Sequence, residues 1–207
     1  MIKNLLFDLG GVIMDIRRAN CVKAFEELGM SDAGTLLGEY SQAGVFAGIE
    51  NGSLSPAEFH DEIRRIIGRQ VSDDEIDTAF QKFLIGIPLR RLESLEELHR
   101  QFNIYLLSNT NPIMWAGEIS RNFRQAGKDV NFYFDDICRS YEVGAMKPDR
   151  RIFQWVIDHF GIRPEETVFF DDSQSNIEAA EAMGFHGILV TPGAEFSELL
   201  KKSGYLS

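Results

Sequence analysis

Short apolar runs that stop at a polar residue or glycine recur along this chain. Asn4-Leu5-Leu6-Phe7 stops at Asp8, 104–107 at Ser108-Asn109, 167–170 at Asp171-Asp172, and 187–190 at Thr191-Pro192-Gly193. A run without polar alternation belongs to a strand buried on both faces, as in a parallel sheet covered by helices. Between these runs, residues 92–100, 151–160 and 177–183 carry a helical apolar period. The last of these helices is expected to close at Gly184, glycine being the favoured C-terminal cap. Strands alternating with helices predict an α/β fold, a doubly wound Rossmann-like parallel sheet.

One stretch breaks the alternation. From 17 to 88 no strand is expected, only amphipathic helix patterns such as 21–28 and 57–67. Seventy-odd residues far exceed the ~2–6 of an ordinary βα loop. The reading is therefore a core formed by 1–16 and 89–207, with an inserted helical subdomain over 17–88. The tail, 196–207, reads as a closing helix. There is no internal repeat.

Composition narrows the function. In 207 residues, 32 Asp and Glu against 21 Lys and Arg leave a net charge of −11. That balance argues against nucleic acid as a partner, because phosphate neutralisation needs basic patches. It argues equally against an anionic membrane surface. Two cysteines, Cys21 and Cys138, make no disulfide framework, and a reducing cytoplasm is the expected compartment. The N-terminus meets charge too early for a secretory signal, and no apolar run nears the ~20 residues of a membrane span. No protein partner is implied.

In an open parallel sheet, ligands bind beyond the carboxyl ends of the strands. Those ends carry Asp8, Ser108 and Asp171-Asp172. Asp8 and Asp172 could flank one Mg²⁺, which takes a few carboxylates plus water and substrate oxygens. Asp171-Asp172 could equally cap the next helix. Ser108 and the N–H of Asn109 precede Asn111-Pro112, a helix start with proline at its first position and so a phosphate site in waiting. Lys147, before another helix, could hold a phosphate or lie in solvent.

Four segments, Phe7-Asp8-Leu9-Gly10-Gly11-Val12, Leu107-Ser108-Asn109, Gly144-x-x-Lys147-Pro148-Asp149 and Phe170-Asp171-Asp172-Ser173, resemble the ordered motifs of the haloacid dehalogenase-like hydrolases. The insertion is similar to that family's helical cap of the first type, including the cap turn Glu50-Asn51-Gly52-Ser53-Leu54-Ser55-Pro56-Ala57-Glu58-Phe59. The nearest resemblance is to phosphatases of the glucose-1-phosphate phosphatase type and the N-terminal phosphatase of soluble epoxide hydrolases. It implies a Mg²⁺-dependent phosphatase acting on a small phosphorylated metabolite, such as a sugar phosphate. Asp8 would be the nucleophile and form an aspartyl-phosphate. Mg²⁺ would be held by Asp8, the Gly10 carbonyl and Asp172, with Asp171 assisting. Ser108, the Asn109 N–H and Lys147 would bind the phosphoryl group, Lys147 also acting in catalysis.

The sequence departs from the family at Gly10, where a second Asp normally donates a proton to the leaving group and then activates water. The carbonyl survives this change and the acid/base does not. Turnover should then favour good leaving groups, with Asp15 as the candidate substitute. Two rival readings follow from Gly10: a 2-haloacid dehalogenase, in which Asp8 attacks carbon without metal, and a binding protein that kept the fold. The acidic pair and the retained nucleophile weigh against them. Arg17, Arg18, Tyr40 and Glu50 are candidates for substrate contact that the sequence cannot place.

Overall fold

The computed structural model describes residues 1–38 and 42–205. It opens with β1 (Asn4–Phe7) and a short β2 (Asp15–Ile16). Five helices follow: α1 (Arg18–Leu28), α2 (Ala33–Leu36), α3 (Gly44–Glu50), α4 (Pro56–Ile67) and α5 (Asp73–Gln81). The chain returns through β3 (Leu84–Gly86), α6 (Leu89–Leu98) and β4 (Asn103–Ser108). Next come α7 (Pro112–Met114), a π-helical turn (Trp115–Ile119), α8 (Ser120–Arg124), β5 (Asp136–Arg139) and α9 (Ser140–Val143). It finishes with α10 (Arg150–Phe160), β6 (Thr167–Asp171), α11 (Gln174–Glu181), β7 (His186–Leu189) and α12 (Phe196–Lys202).

The main sheet is parallel throughout, in the order β5-β4-β1-β6-β7. From β1 the chain builds outward to β4 and β5 on one side, then to β6 and β7 on the other. This is the doubly wound arrangement expected, with β1 at the point where the winding reverses. Both faces are buried. Leu5 and Phe7 join one core with Leu106 and Phe170, whereas Leu6 joins the other with Leu107, Phe169 and Phe153. Phe7 and Phe170 stack at 4.7 Å between ring centroids, across the register pairing of β1 with β6.

The helices between β2 and β3 bury an aromatic cluster of Phe25, Phe46, Phe59 and Phe80, with edge-on contacts at 5.0–5.6 Å around Phe46. That cluster belongs to the same hydrophobic core as Leu5, Phe7, Leu106 and Phe170 of the sheet. Helices α4 and α5 begin with reciprocal capping boxes, Ser55 with Glu58 and Ser72 with Glu75.

Several expectations are corrected. Strand β3 lies inside the stretch read as strandless, pairing antiparallel with β2. Two or three residues are too few to show a period. An unexpected fifth strand of the main sheet, β5, forms the edge beside β4, and Cys138 is its sole fully buried residue, so no apolar run marks it. Helix α11 spans Gln174–Glu181, and Gly184 (φ 95°) stands beyond its Ala182 cap rather than at it. The closing helix stops at Lys202, and 206–207 lie outside the described residues. Cys21 and Cys138 are free and buried. Among the described residues, no helix is long and apolar enough to cross a membrane.

Candidate active site

Because β1 is flanked by β4 and β6 in matched register, the residues following all three strands converge. Phe7 pairs with Leu106 on one side and Phe170 on the other, and the Asp8 N–H donates to the Phe170 carbonyl at 2.8 Å. Asp8, Ser108 and Asp171 thus stand together at one end of the sheet. Gly11 makes the next approach possible. Its φ is +74°, and a Cβ there would lie 2.1 Å from Asp172 Oδ2, so only glycine lets the turn after β1 approach that carboxylate.

Lys147, read from sequence as either a phosphate ligand or a solvated side chain, is buried at the centre. Its Nζ meets Asp8 Oδ1 and Asp171 Oδ2, each at 2.7 Å, and donates to the Leu107 carbonyl at 3.0 Å. The Asn109 side chain clasps the lysine's backbone, accepting from its N–H at 2.9 Å and donating to its carbonyl at 3.0 Å. Both Asp171 oxygens are engaged: Oδ1 accepts from the Ser173 N–H and from Asn176 Nδ2, and Oδ2 accepts from Lys147 Nζ. The alternative of Asp171 as a helix cap is thus answered by a carboxylate that orders the turn into α11 and holds the lysine.

Burial pushes the Asp8 carboxyl up to about 7, Lys147 pulls it down, and Asp171 and Asp172 push it up again. For Lys147, burial works against the charge, but Asp171 and Asp8 outweigh it and keep the ammonium above its ordinary range. Asp8, Asp171 and Asp172 offer oxygens within 4.8 Å of one another. Three carboxylates against one ammonium leave an excess of negative charge, and this donor set of hard oxygens suits a divalent cation.

Asp8, Gly10, Ser108, Asn109, Lys147 and Asp172 line a cavity of about 90 Å³. The sequence-derived residues are therefore brought together. Two lining groups were missed or unassigned. The Thr110 hydroxyl is buried without a hydrogen-bond partner among the described residues, and a lone threonine after a strand carries no sequence signal. Glu50 reaches the cavity from the end of α3. Burial, and secondarily the Asp8 charge, push its carboxyl up to about 8. The other named candidates lie elsewhere. Asp15 pairs with Arg91 at 2.8 Å and lines, with Arg17, an adjoining cavity of about 580 Å³ that shares Ile16 and Asp172 with the first. Arg18 donates to the carbonyls of Leu37 and Gly34, and Tyr40 lies outside the described residues.

Glu50 has a consequence for stability. A carboxyl whose folded pKa is raised contributes stability below its unfolded value near 4.5 and loses it as pH rises through about 8. Glu50→Gln should therefore match the native protein near pH 5 and become the more stable of the two by pH 8–9. Parallel thermal melts in EDTA check this, since Asp8 is common to both proteins.

Comparison with known proteins agrees with this geometry. A family model described as haloacid dehalogenase-like hydrolase matches residues 2–184. D-ribitol-5-phosphate phosphatase of Bacteroides thetaiotaomicron is 39% identical over 200 residues, 97% of each chain. A HAD family enzyme from the same organism, solved with magnesium and inorganic phosphate, superposes with a TM-score of 0.90 at 38% identity, over 96% of this chain and 99% of that one. An L-2-haloacid dehalogenase from Xanthobacter autotrophicus, 18% identical with a TM-score of 0.62, covers 100% of this chain and 85% of its own and shares the fold. With its strand-end acids, buried lysine and doubly wound sheet, the chain belongs to the haloacid dehalogenase-like hydrolases.

Proposed function

We propose that this protein is a Mg²⁺-dependent phosphatase that hydrolyses small sugar or polyol phosphates through an aspartyl-phosphate on Asp8. The observation that carries the reading is the buried Asp8–Lys147–Asp171 chain beside Asp172, at the strand ends of a fold whose relatives include a ribitol-phosphate phosphatase.

Asp8, Asp172 and the Gly10 carbonyl would hold the metal, and its chemistry is to neutralise phosphoryl charge and orient the group for in-line attack. Asp171, held by Lys147, Ser173 and Asn176, serves the site by positioning the lysine and lies beside the metal ligands. Lys147 offsets the charge of Asp8 and of an arriving phosphoryl group, so the two anions can approach. Ser108 and the Asn109 N–H receive phosphoryl oxygens, while the Asn109 side chain keeps Lys147 in place. Asp8 attacks phosphorus, the ester oxygen leaves, and water then releases phosphate and restores the carboxylate. The helices over 17–88 act as a cap, contributing Glu50, Phe80 and Phe83 to the wall of the cavity that holds Asp8. The buried free thiols and acidic surface support a cytoplasmic protein acting on a small metabolite.

Phosphate release from a panel including ribitol 5-phosphate, with Mg²⁺ and with EDTA, tests this reading. Turnover should vanish in EDTA and return with Mg²⁺. Asp172→Ala should raise the Mg²⁺ concentration needed for half-maximal rate by at least about tenfold, the scale on which lost metal-site groups act. Metal-independent turnover, with chloride released from 2-chloropropionate, would instead support the dehalogenase reading.

A further inference from the structure

Gly10 removes the family's proton donor, and Asp15 is engaged by Arg91 and lines an adjoining cavity rather than the one that holds Asp8. Among the described residues lining the active-site cavity, the titratable side chains are Asp8, Lys147, Asp172 and Glu50. Asp8 and Lys147 pair with each other, and Asp172 belongs to the acidic set. Glu50 stands apart from that set. Its residue is 8% exposed, and its carboxyl makes no hydrogen bond or ion pair among the described residues. A largely buried carboxyl that opens onto a reaction cavity has work available to it.

Its backbone is anchored from two sides. The Ser140 hydroxyl donates to the Glu50 carbonyl at 2.6 Å and accepts from the Thr110 N–H at 3.0 Å. One side chain therefore ties the end of α3 to the loop carrying Ser108 and Asn109. Two residues on, Gly52 (φ +75°) lies so close to the Tyr141 carbonyl that a Cβ would stand 2.2 Å from its oxygen. The Asn51-Gly52 turn thus locks against the core, with Glu50 at its edge.

In-line displacement places the leaving oxygen on the far side of phosphorus from the attacking Asp8 oxygen. Ser108 and Asp172 stand at the strand ends with Asp8, and Lys147 reaches Asp8 from the segment before α10. The part of the wall contributed by 16–84 comprises Ile16, Gln42, Glu50, Phe80, Phe83 and Leu84, where Glu50 is the titratable group.

We infer that Glu50 is the general acid and base of the reaction, replacing from the cap the carboxylate that Gly10 lacks; this rests on the phosphatase reading above. In the first step the Asp8 oxygen bonds to phosphorus, the phosphorus–oxygen bond to the alcohol breaks, and the Glu50 carboxyl proton passes to the departing oxygen. In the second, water attacks phosphorus, its proton passes to the Glu50 carboxylate, and the bond to Asp8 breaks. Each cycle regenerates both groups and converts ester and water to alcohol and phosphate. Burial keeps the Glu50 carboxyl protonated at neutral pH, as a donor must be. The charged and titratable groups facing it are Asp8, Lys147, Asp172 and, from α1, Cys21.

The test compares the native protein, Glu50→Gln and Glu50→Gln/Gly10→Asp at saturating Mg²⁺, using p-nitrophenyl phosphate, phenyl phosphate and ribitol 5-phosphate. The value of kcat/KM reports leaving-group departure. The native protein should depend weakly on leaving-group pKa. Glu50→Gln should lose about 10²–10⁴-fold on ribitol 5-phosphate and less than about tenfold on p-nitrophenyl phosphate. It should also release a burst of p-nitrophenolate, since water activation now limits turnover. Gly10→Asp should restore part of the alkyl-ester rate, as a Cβ there meets only Ile16 at 3.5 and 3.7 Å. An equal loss on all three esters, or no loss on any, overturns the assignment while leaving the phosphatase reading intact. Absence of Mg²⁺-dependent release from every ester by the native protein overturns both.

Discussion

Asp8→Asn should lower phosphate release by on the order of 10⁴-fold or more, the scale on which removing a nucleophile acts in covalent catalysis. The amide has the shape of the carboxylate but neither its nucleophilicity nor its charge, and Lys147 keeps Asp171 as a partner. The variant should therefore fold. Because burial pushes the native Asp8 up to about 7, its ionisation costs stability as pH rises through that value, and the amide removes the cost. In EDTA at pH 8 the variant should melt at or above the native temperature. Added Mg²⁺ should then stabilise the native protein much more than the variant. Turnover within tenfold of native would reject Asp8 as the nucleophile.

Lys147→Met should be the most damaging single change to the fold in this region. The ammonium is the shared partner of two buried carboxylates and a strand-end carbonyl. Breaking a buried pair from one side leaves uncompensated charge and costs about 3–5 kcal/mol. Lys147 stays charged through the neutral range, whereas Asp8 in the variant must take up a proton or lie buried without its cation. The stability gap should therefore widen as pH rises from about 5 to 8, and urea unfolding at several pH values measures it. Phosphatase activity should fall with it, even where the variant remains folded. A uniform gap across pH would mean that lost packing, rather than stranded carboxylate charge, dominates.

The family pattern explains why the strand-end residues were legible. Asp8, Ser108 and Asp171-Asp172 each follow an apolar run, and a parallel sheet brings successive strand ends to the same edge. Lys147 was less legible. A lysine before a helix looks the same in sequence whether it is solvated or buried, and only the Asn109 clasp and the Asp171 carboxylate decide which. Strand β5 was hidden for a related reason. An edge strand buries little, so its apolar signal is weak, and its place is set by backbone pairing to β4.

The amino-acid sequence by itself determined the α/β class, the strands that bury both faces, the amphipathic helices between 17 and 88, and the strand-end acids. All of these follow from local periodicity and from the polar residues that end each run. The tertiary structure alone decided which distant groups meet. It turned Asp171 into the anchor of Lys147, drew Asp15 away to Arg91, and brought Glu50 from the end of α3 into the cavity of Asp8. The physical reason is that pairing, desolvation and proximity depend on what surrounds a side chain in space. A glutamate more than forty residues from Asp8 in the chain acquires its environment only when the Ser140 hydroxyl and the tight turn at Gly52 dock α3 onto the sheet edge.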